Sequence, residues 1–305
     1  MSAMVDHRSF LNGRYACTID GFRNTCYVQL VNGGTPSGGV VNEGIANGAP
    51  EMKHLGGVEI DPIELRAPIG VCRPFFEWAQ KVRDGEDHEC NGSLVLADGH
   101  YNECDEQEFF GAQIKKISLP ALEKGKFGIP EVTMSWLPQR TTLRKGSGRD
   151  IGTLDSPPQA KLWSIGAFRF EIDGVSCKAP KVSAFSIEQA VTPFHYGRQR
   201  FAELIPAGMT CGNLTVHIPV KHFDQFYDWN KRVLEEGARC TDEERTGALT
   251  FYGPIHERLF TIDLMGIGLH RPQREDVQVG QSTVAAYKVD VHVQDYKFDF
   301  GVGFA

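Results

Sequence analysis

The chain states one pattern twice, so it must fold as two similar units. Pro68-Ile69, Phe75-Phe76-Glu77-Trp78 and Val82 return as Pro219-Val220, Phe226-Tyr227-Asp228-Trp229 and Val233, always 151 positions later and without a gap. Ile63–Pro68 aligns with Leu214–Pro219 at that same separation. Ile19-Asp20-Gly21 matches Ile172-Asp173-Gly174 at 153, and Phe110, Ala112, Ile114 and Ile117 match Phe260, Ile262, Leu264 and Ile267 at 150. Repetition is weighed before any local signal, because missing it misassigns the whole fold. Two copies are too few for a solenoid. They indicate a duplicated domain, which matters most where a symmetric assembly needs an even number of them.

The bulk properties agree with that division. A chain of 305 residues suits two domains of ordinary size, each able to bury its own core. With 23% charged and 41% hydrophobic residues it reads as a soluble globular protein. The formal charge of −7 argues against a surface built to grip nucleic acid, which is normally basic. It is compatible with a surface past which DNA slides, since like charge prevents adhesion. Met1–Arg14 lacks an apolar signal region and no apolar run nears the ~20 residues of a membrane span, so synthesis and assembly in the cytoplasm without a membrane partner are expected.

Residues 1–14 read as an N-terminal arm, 15–143 as the first domain, 144–167 as a Gly/Ser/Pro-rich linker and 168–305 as the second domain. Alternation of apolar and polar residues in Phe168–Ile172, Leu214–Ile218 and Val289–Gln294, with counterparts at Ile63–Ala67 and Val132–Trp136, marks strands. One helix interrupts each copy. Phe75, Trp78 and Val82 stand at i, i+3 and i+7 before Gly85, as do Phe226, Trp229 and Val233 before Gly237, which makes these six core residues. Each copy therefore reads as strand, strand, a long loop, strand, helix and three strands. The expected fold class is mainly β: two tandem antiparallel barrels or sandwiches, each flanked by one helix. The long loops are Asn32–Leu55, with Gly33, Gly34, Asn42 and Asn47, and Thr192–Pro206, with His195, Tyr196, Arg198 and Arg200. Loops of that length are usually functional or disordered, and both copies keep one at the same place, which favours contact with another subunit.

Signals for chemistry are weak. There is no Gly-x-Ser-x-Gly, His-Glu-x-x-His or Walker loop, and Gly146-Ser147-Gly148 follows no clear strand and opens no helix. His195 and Tyr196 have no nucleophile or acid at recognisable spacing. The eight cysteines form no CxxC pair and suggest reduced thiols. No catalytic, metal or cofactor site is expected, and the chain is not read as an enzyme.

The second copy resembles the tube proteins of contractile phage tails and related injection systems, a family that includes the haemolysin-coregulated protein of type VI secretion. Carrying the resemblance are Phe168–Gly174, the loop closing on Leu204-Ile205-Pro206, the strand Gly212–Val216, the helix with Phe226 and Trp229, and Gly247–Phe251. The first copy keeps Ile19–Gly21, the helix with Phe75 and Trp78, and Gly92–Leu96. The resemblance implies a barrel that joins side by side into rings stacking as a hollow tube, in the virion tail assembled in a bacterial host. Members usually carry one domain and form hexamers; this chain carries two, so three chains would present six quasi-equivalent domains. Implied partners are further copies of the chain, sheath protein, baseplate and tail-terminator proteins, and tape measure protein and DNA in the bore, with no cofactor. Glu64, Arg66, Thr133, Ser135, Thr215, His217, Asp290, His292 and Gln294 are the candidates for the bore surface, because DNA passage disfavours clustered Arg and Lys. The alternative is an ordinary solvated sheet face. Some thiols are candidates for intersubunit bridges once the particle leaves the reducing cell. Two other readings stay open: a baseplate hub or tube-initiator protein, and a carbohydrate-binding or hydrolytic β-sandwich.

Overall fold

The computed structural model describes residues 14–20, 22–28, 30–43, 52–86, 89–151, 163–175, 179–197, 199–236, 243–274 and 286–301. Most of the expected N-terminal arm, part of the linker, Asn47, Arg198 and Gly237 lie outside these residues. The protein is mainly β, with two β-barrel domains and, among the described residues, two short α-helices.

The first barrel contains β1 (Arg14–Ile19), β2 (Phe22–Val28), β3 (Leu30–Asn32), β4 (Pro36–Glu43), β5 (Met52–Ile60), β6 (Ile63–Pro68), α1 (Arg73–Arg83), β7 (Cys90–Ala97), β8 (Glu103–Leu119), β9 (Leu122–Glu123), β10 (Glu131–Leu137) and β11 (Arg140–Lys145). The second contains β12 (Phe168–Ile172), β13 (Lys181–Val182), β14 (Phe185–Phe194), β15 (Glu203–Cys211), β16 (Leu214–Pro219), α2 (Asp224–Asn230), β17 (Arg245–Tyr252), β18 (Arg258–Arg274), β19 (Ala286–His292) and β20 (Asp295–Phe300). A π-helical turn, Lys231–Glu235, continues α2. The linker residues up to Ile151 fold back on the first barrel, where Ile151 is buried with Ala16 and Ala97.

Strand alternation sets what is buried. In β6, Ile63, Leu65 and Ala67 point inward and Glu64 and Arg66 outward. Inside α1, Phe75 and Trp78 are buried against Trp136, and in α2 Phe226 and Trp229 occupy the same inward stripe. Val82 is half-buried and Val233 buried. α1 ends as its sequence dictates, with Gly85 at φ +79.

The repeat extends to strand register. Ile19 lies opposite Gly92 and Ile172 opposite Gly247. Leu65 faces Met134, and Val216 faces Val289. The long strands β8 and β18 pair alike: Ala112 with Cys90 and Ile267 with Arg245, Phe110 with Arg140 and Met265 with Asp295. Each long strand serves two sheets and turns the corner at a left-handed glycine, Gly111 (φ +57) or Gly266 (φ +63). These pairings place the strands after the helix 155 positions apart, which corrects the 150 read from the apolar residues. A bulge resets the inward–outward alternation, so an apolar pattern alone cannot fix the register there.

The barrels are joined edge to edge. Leu119, Ser118, Ile117 and Lys116 of β8 pair with Phe185–Glu188 of β14, and β9 pairs with β13. α1 then lies across the second barrel. Phe76 is wholly buried with its ring 4.8 Å from Phe260 and 5.1 Å from Phe298. The Phe298 N–H donates to Gln80 Oε1 (2.8 Å), and both nitrogens of the Arg83 fork reach Asp295, Nε at 3.0 Å. A single hydrophobic cluster runs through both barrels. Burying a side chain such as Phe76 contributes roughly 1.5–3 kcal/mol, so this junction is part of the core.

Candidate assembly surfaces

Both expected loops are β-hairpins. The span Asn32–Leu55 contains β4 and the start of β5, which form a two-stranded sheet of their own; Thr192–Pro206 is the far end of the β14–β15 hairpin. The many glycines and prolines hid the strands, because Gly and Pro depress strand signals while edge hairpins tolerate them. Gly33 and Gly34 lie at the hairpin's base, not its tip. The Gly34 carbonyl accepts from Gln107 Nε2 (2.8 Å) and Thr141 Oγ1 (2.9 Å), and a Cβ on Gly33 would collide with the Pro62 backbone. Asn42 is exposed near the tip, and His195, Tyr196 and Arg200 are exposed on the second hairpin.

The hairpins carry apolar surface that a lone chain leaves wet: Val40, Val41, Met52 and Leu55 on the first, Phe194, Tyr196 and Ile205 on the second. Phe194 and Tyr196 stack edge to face at 4.6 Å. His195 also lies against Gly57, so the two hairpins of one chain are neighbours. Contiguous exposed apolar residues of this kind mark contact surfaces. The β-branched pair Val40-Val41 was a strand signal available in the sequence, masked by the preceding Gly38-Gly39.

The candidate bore residues fall into a pattern. Across β6, β10, β8 and β14, Glu64 sits opposite Ser135, then Lys116, then Glu188, and Arg66 opposite Thr133, Ser118 and Ser186. Lys116 Nζ is 2.8 Å from Glu188 Oε1. One polar face therefore crosses the domain junction with its charges in opposite pairs. In the second barrel Thr215 lies opposite Asp290 and donates its hydroxyl to it (2.6 Å), while His217 lies opposite Lys288. His217 is buried beside Ser183, with Oγ at 3.5 Å, so it contributes little open surface. His292 ends β19 with Nε2 3.8 Å from Glu244, and Gln294 lies past the strand with Nε2 directed to that same carboxylate. The polar row thus stops at Asp290, and Gln294 is separate from it.

Comparison with known proteins adds solved structures only; no family model and no curated protein matches the chain. A chain from the 6-fold symmetrised anti-feeding prophage baseplate is similar at 13% identity and TM-score 0.37, covering 44% of this chain and 91% of its own. A chain of the PVC sheath–tube complex, an extracellular contractile injection system in its extended state, aligns at 11% identity and TM-score 0.38, over 49% and 95%. A chain of the anti-feeding prophage tube-terminating cap gives 11% and 0.39, over 51% and 98%.

Among the described residues, five thiols can be placed. Cys17, Cys72 and Cys90 are buried, and burial pushes the Cys90 and Cys211 thiols up to about 12, away from the reactive thiolate. Cys104 is partly exposed, and desolvation raises it too. Among the described residues no group of three or more His, Cys, Asp or Glu could hold a metal ion, and no helix is long and apolar enough to cross a membrane.

Proposed function

We propose that the chain is a structural tube subunit of a contractile phage tail or a phage-like injection particle. Residues 15–143 and 168–305 act as two successive wedges of one ring, and three chains close a six-barrel ring around an open bore. The observation that carries this reading is the joint between the barrels. Two units of equal register are fused side by side through strand pairing, and one charge-balanced polar face continues across the seam. Fusion makes half of the ring's contacts intramolecular and removes much of their association entropy. The apolar hairpins support the stacking of rings, and the polar face supports a bore through which DNA or an effector passes. The resemblance of both copies to tube proteins points the same way. Sheath, baseplate, terminator and tape measure proteins are the proposed partners, and the virion tail the proposed location.

The test is negative-stain imaging of the purified chain with a mass measurement of its smallest ring. Hollow rings of three chains that stack are expected, and shortening the β4–β5 hairpin should leave rings that no longer stack. A chain that stays monomeric at every concentration overturns the reading. Copy number in purified particles separates a tube subunit, present in many copies, from a hub or initiator.

A further inference from the structure

We propose that copies of the chain join head to tail by repeating between molecules the contact that α1 makes within one. The inserting element is α2 with its π-turn, and the seat is the β8–β11 face of the next copy's first barrel. This deepens the ring reading and rests on it.

Register tells which residues correspond. Positions on the helices differ by 151 and those on the strands after them by 155, so each part of the α1 contact has a counterpart. Phe76 corresponds to Tyr227 and Arg83 to Leu234. Phe76 is 0% exposed, whereas Tyr227 is 52% and Leu234 53% exposed. Tyr227 and Leu234 thus stand uncovered where the matching residues of α1 meet the second barrel. In the second barrel, the seat of Phe76 includes the Phe260 and Phe298 rings, with Phe251 and Phe300 beside them. The first barrel has Leu96, Asp105, Leu143 and Lys145 at those four positions. With Cys104 and Arg144 they line a cleft of about 400 Å³. Leu143 is 71% exposed. Smaller side chains leave a hole at the place where the other barrel receives an aromatic ring.

Two of the substituted pairs on the two faces are complementary, while the Arg83–Asp295 ion pair has only Leu234 and Arg140 as its counterpart. Where Phe76 meets Phe260, the intermolecular pair is Tyr227 with Asp105. Oδ1 of Asp105 accepts the Glu106 N–H (3.0 Å), and a carboxylate lining the cleft is an acceptor for a tyrosine hydroxyl. Where Arg73 lies over the Phe300 ring at 5.4 Å, the intermolecular pair is Asp224 with Lys145, an ion pair in place of a cation–ring contact. An aromatic anchor in a pocket with a charged rim is the usual anatomy of a strong interface.

The strand ladder is not repeated. Gly212 donates to the Ser186 carbonyl (2.7 Å), so Ser186 faces β15 and the next residue, Ile187, turns its backbone toward Ile117. Their counterparts are Pro36 and Pro272, and neither has an N–H to donate. The seam between molecules therefore lacks the central bonds of the seam within one, and prolines on such edges also block indiscriminate strand addition. Assembly then depends on the helix seat.

The experiment compares the full chain with Y227A, D224K, K145D and the double variant D224K/K145D by sedimentation velocity over a concentration series. Truncating the anchor should raise the concentration for half-assembly about 30-fold, the scale of a hot-spot residue. Each charge reversal should weaken assembly, and the double reversal should recover most of the loss. Assembly of Y227A at wild-type concentrations, or a double variant no better than the singles, overturns this seat and leaves the ring reading standing. If deleting residues 1–13 disrupts assembly while Y227A does not, the cleft belongs to the chain's own arm and the proposal fails. A wild-type chain that never assembles overturns both.

Discussion

The two helices carry the same inward residues and have opposite outward fates. Phe75 and Trp78 match Phe226 and Trp229, and all four are buried in their own barrels. Outward, α1 is sealed onto the second barrel by Phe76, while α2 presents Tyr227 to solvent. Residues that close a barrel answer to that barrel alone and have stayed alike. Residues that meet a neighbour answer to that neighbour, and only α1 has the second barrel across it.

The comparison breaks most visibly at the matched outward position. Phe76→Ala should destabilise the monomer by about 3–5 kcal/mol in urea unfolding, as for other truncated buried aromatics. Tyr227→Ala should stay within about 0.5 kcal/mol, as an exposed site does. Equal losses would mean that the helices are not differently partnered within one chain.

The corner glycines sharpen the comparison by demanding equality. Gly111→Ala and Gly266→Ala should each cost about 1–3 kcal/mol, because a side chain at positive φ is strained. An added Cβ would also press on Gln139 in one barrel and Gln294 in the other, themselves matching positions. Thermal unfolding of the two variants checks this, and a large loss in only one barrel would show that the corners are not equivalent.

The smallest effect concerns the ion pair at the junction. The Arg83 guanidinium, through its hydrogen bond, holds Asp295 below the usual carboxylate range. A depressed carboxylate contributes stability that is present above its unfolded pKa of about 3.9 and is lost as pH falls through the lower folded value. Asp295 is 45% exposed, so solvent screening limits the pair to roughly 0.2–1 kcal/mol. Asp295→Asn should therefore flatten the acid end of the stability–pH curve below about pH 4 and leave neutral pH nearly unchanged once the lost pair is subtracted.

Much of this fold was legible in the sequence because helical spacing is stringent. Phe, Trp and Val at i, i+3 and i+7 leave few ways to place α1 and α2. The long strands were harder. Their apolar residues match at more than one shift, and the true marker was the pair Gly111 and Gly266, which looks unremarkable until the backbone shows both at the same corner. The hairpins were missed because Gly38-Gly39 and Pro36 mimic a loop. Contact surfaces were hardest of all. That Tyr227 is exposed and Phe76 buried depends on which barrel lies across each helix, and no local pattern encodes that.

The strand pairing of Ile117 with Ile187 has a mechanical consequence. In the proposed ring of three chains, the joints within a chain are made by strand pairing and would be stronger than the joints between chains. Under internal pressure such a ring would open between chains and shed an intact polypeptide, never a single barrel.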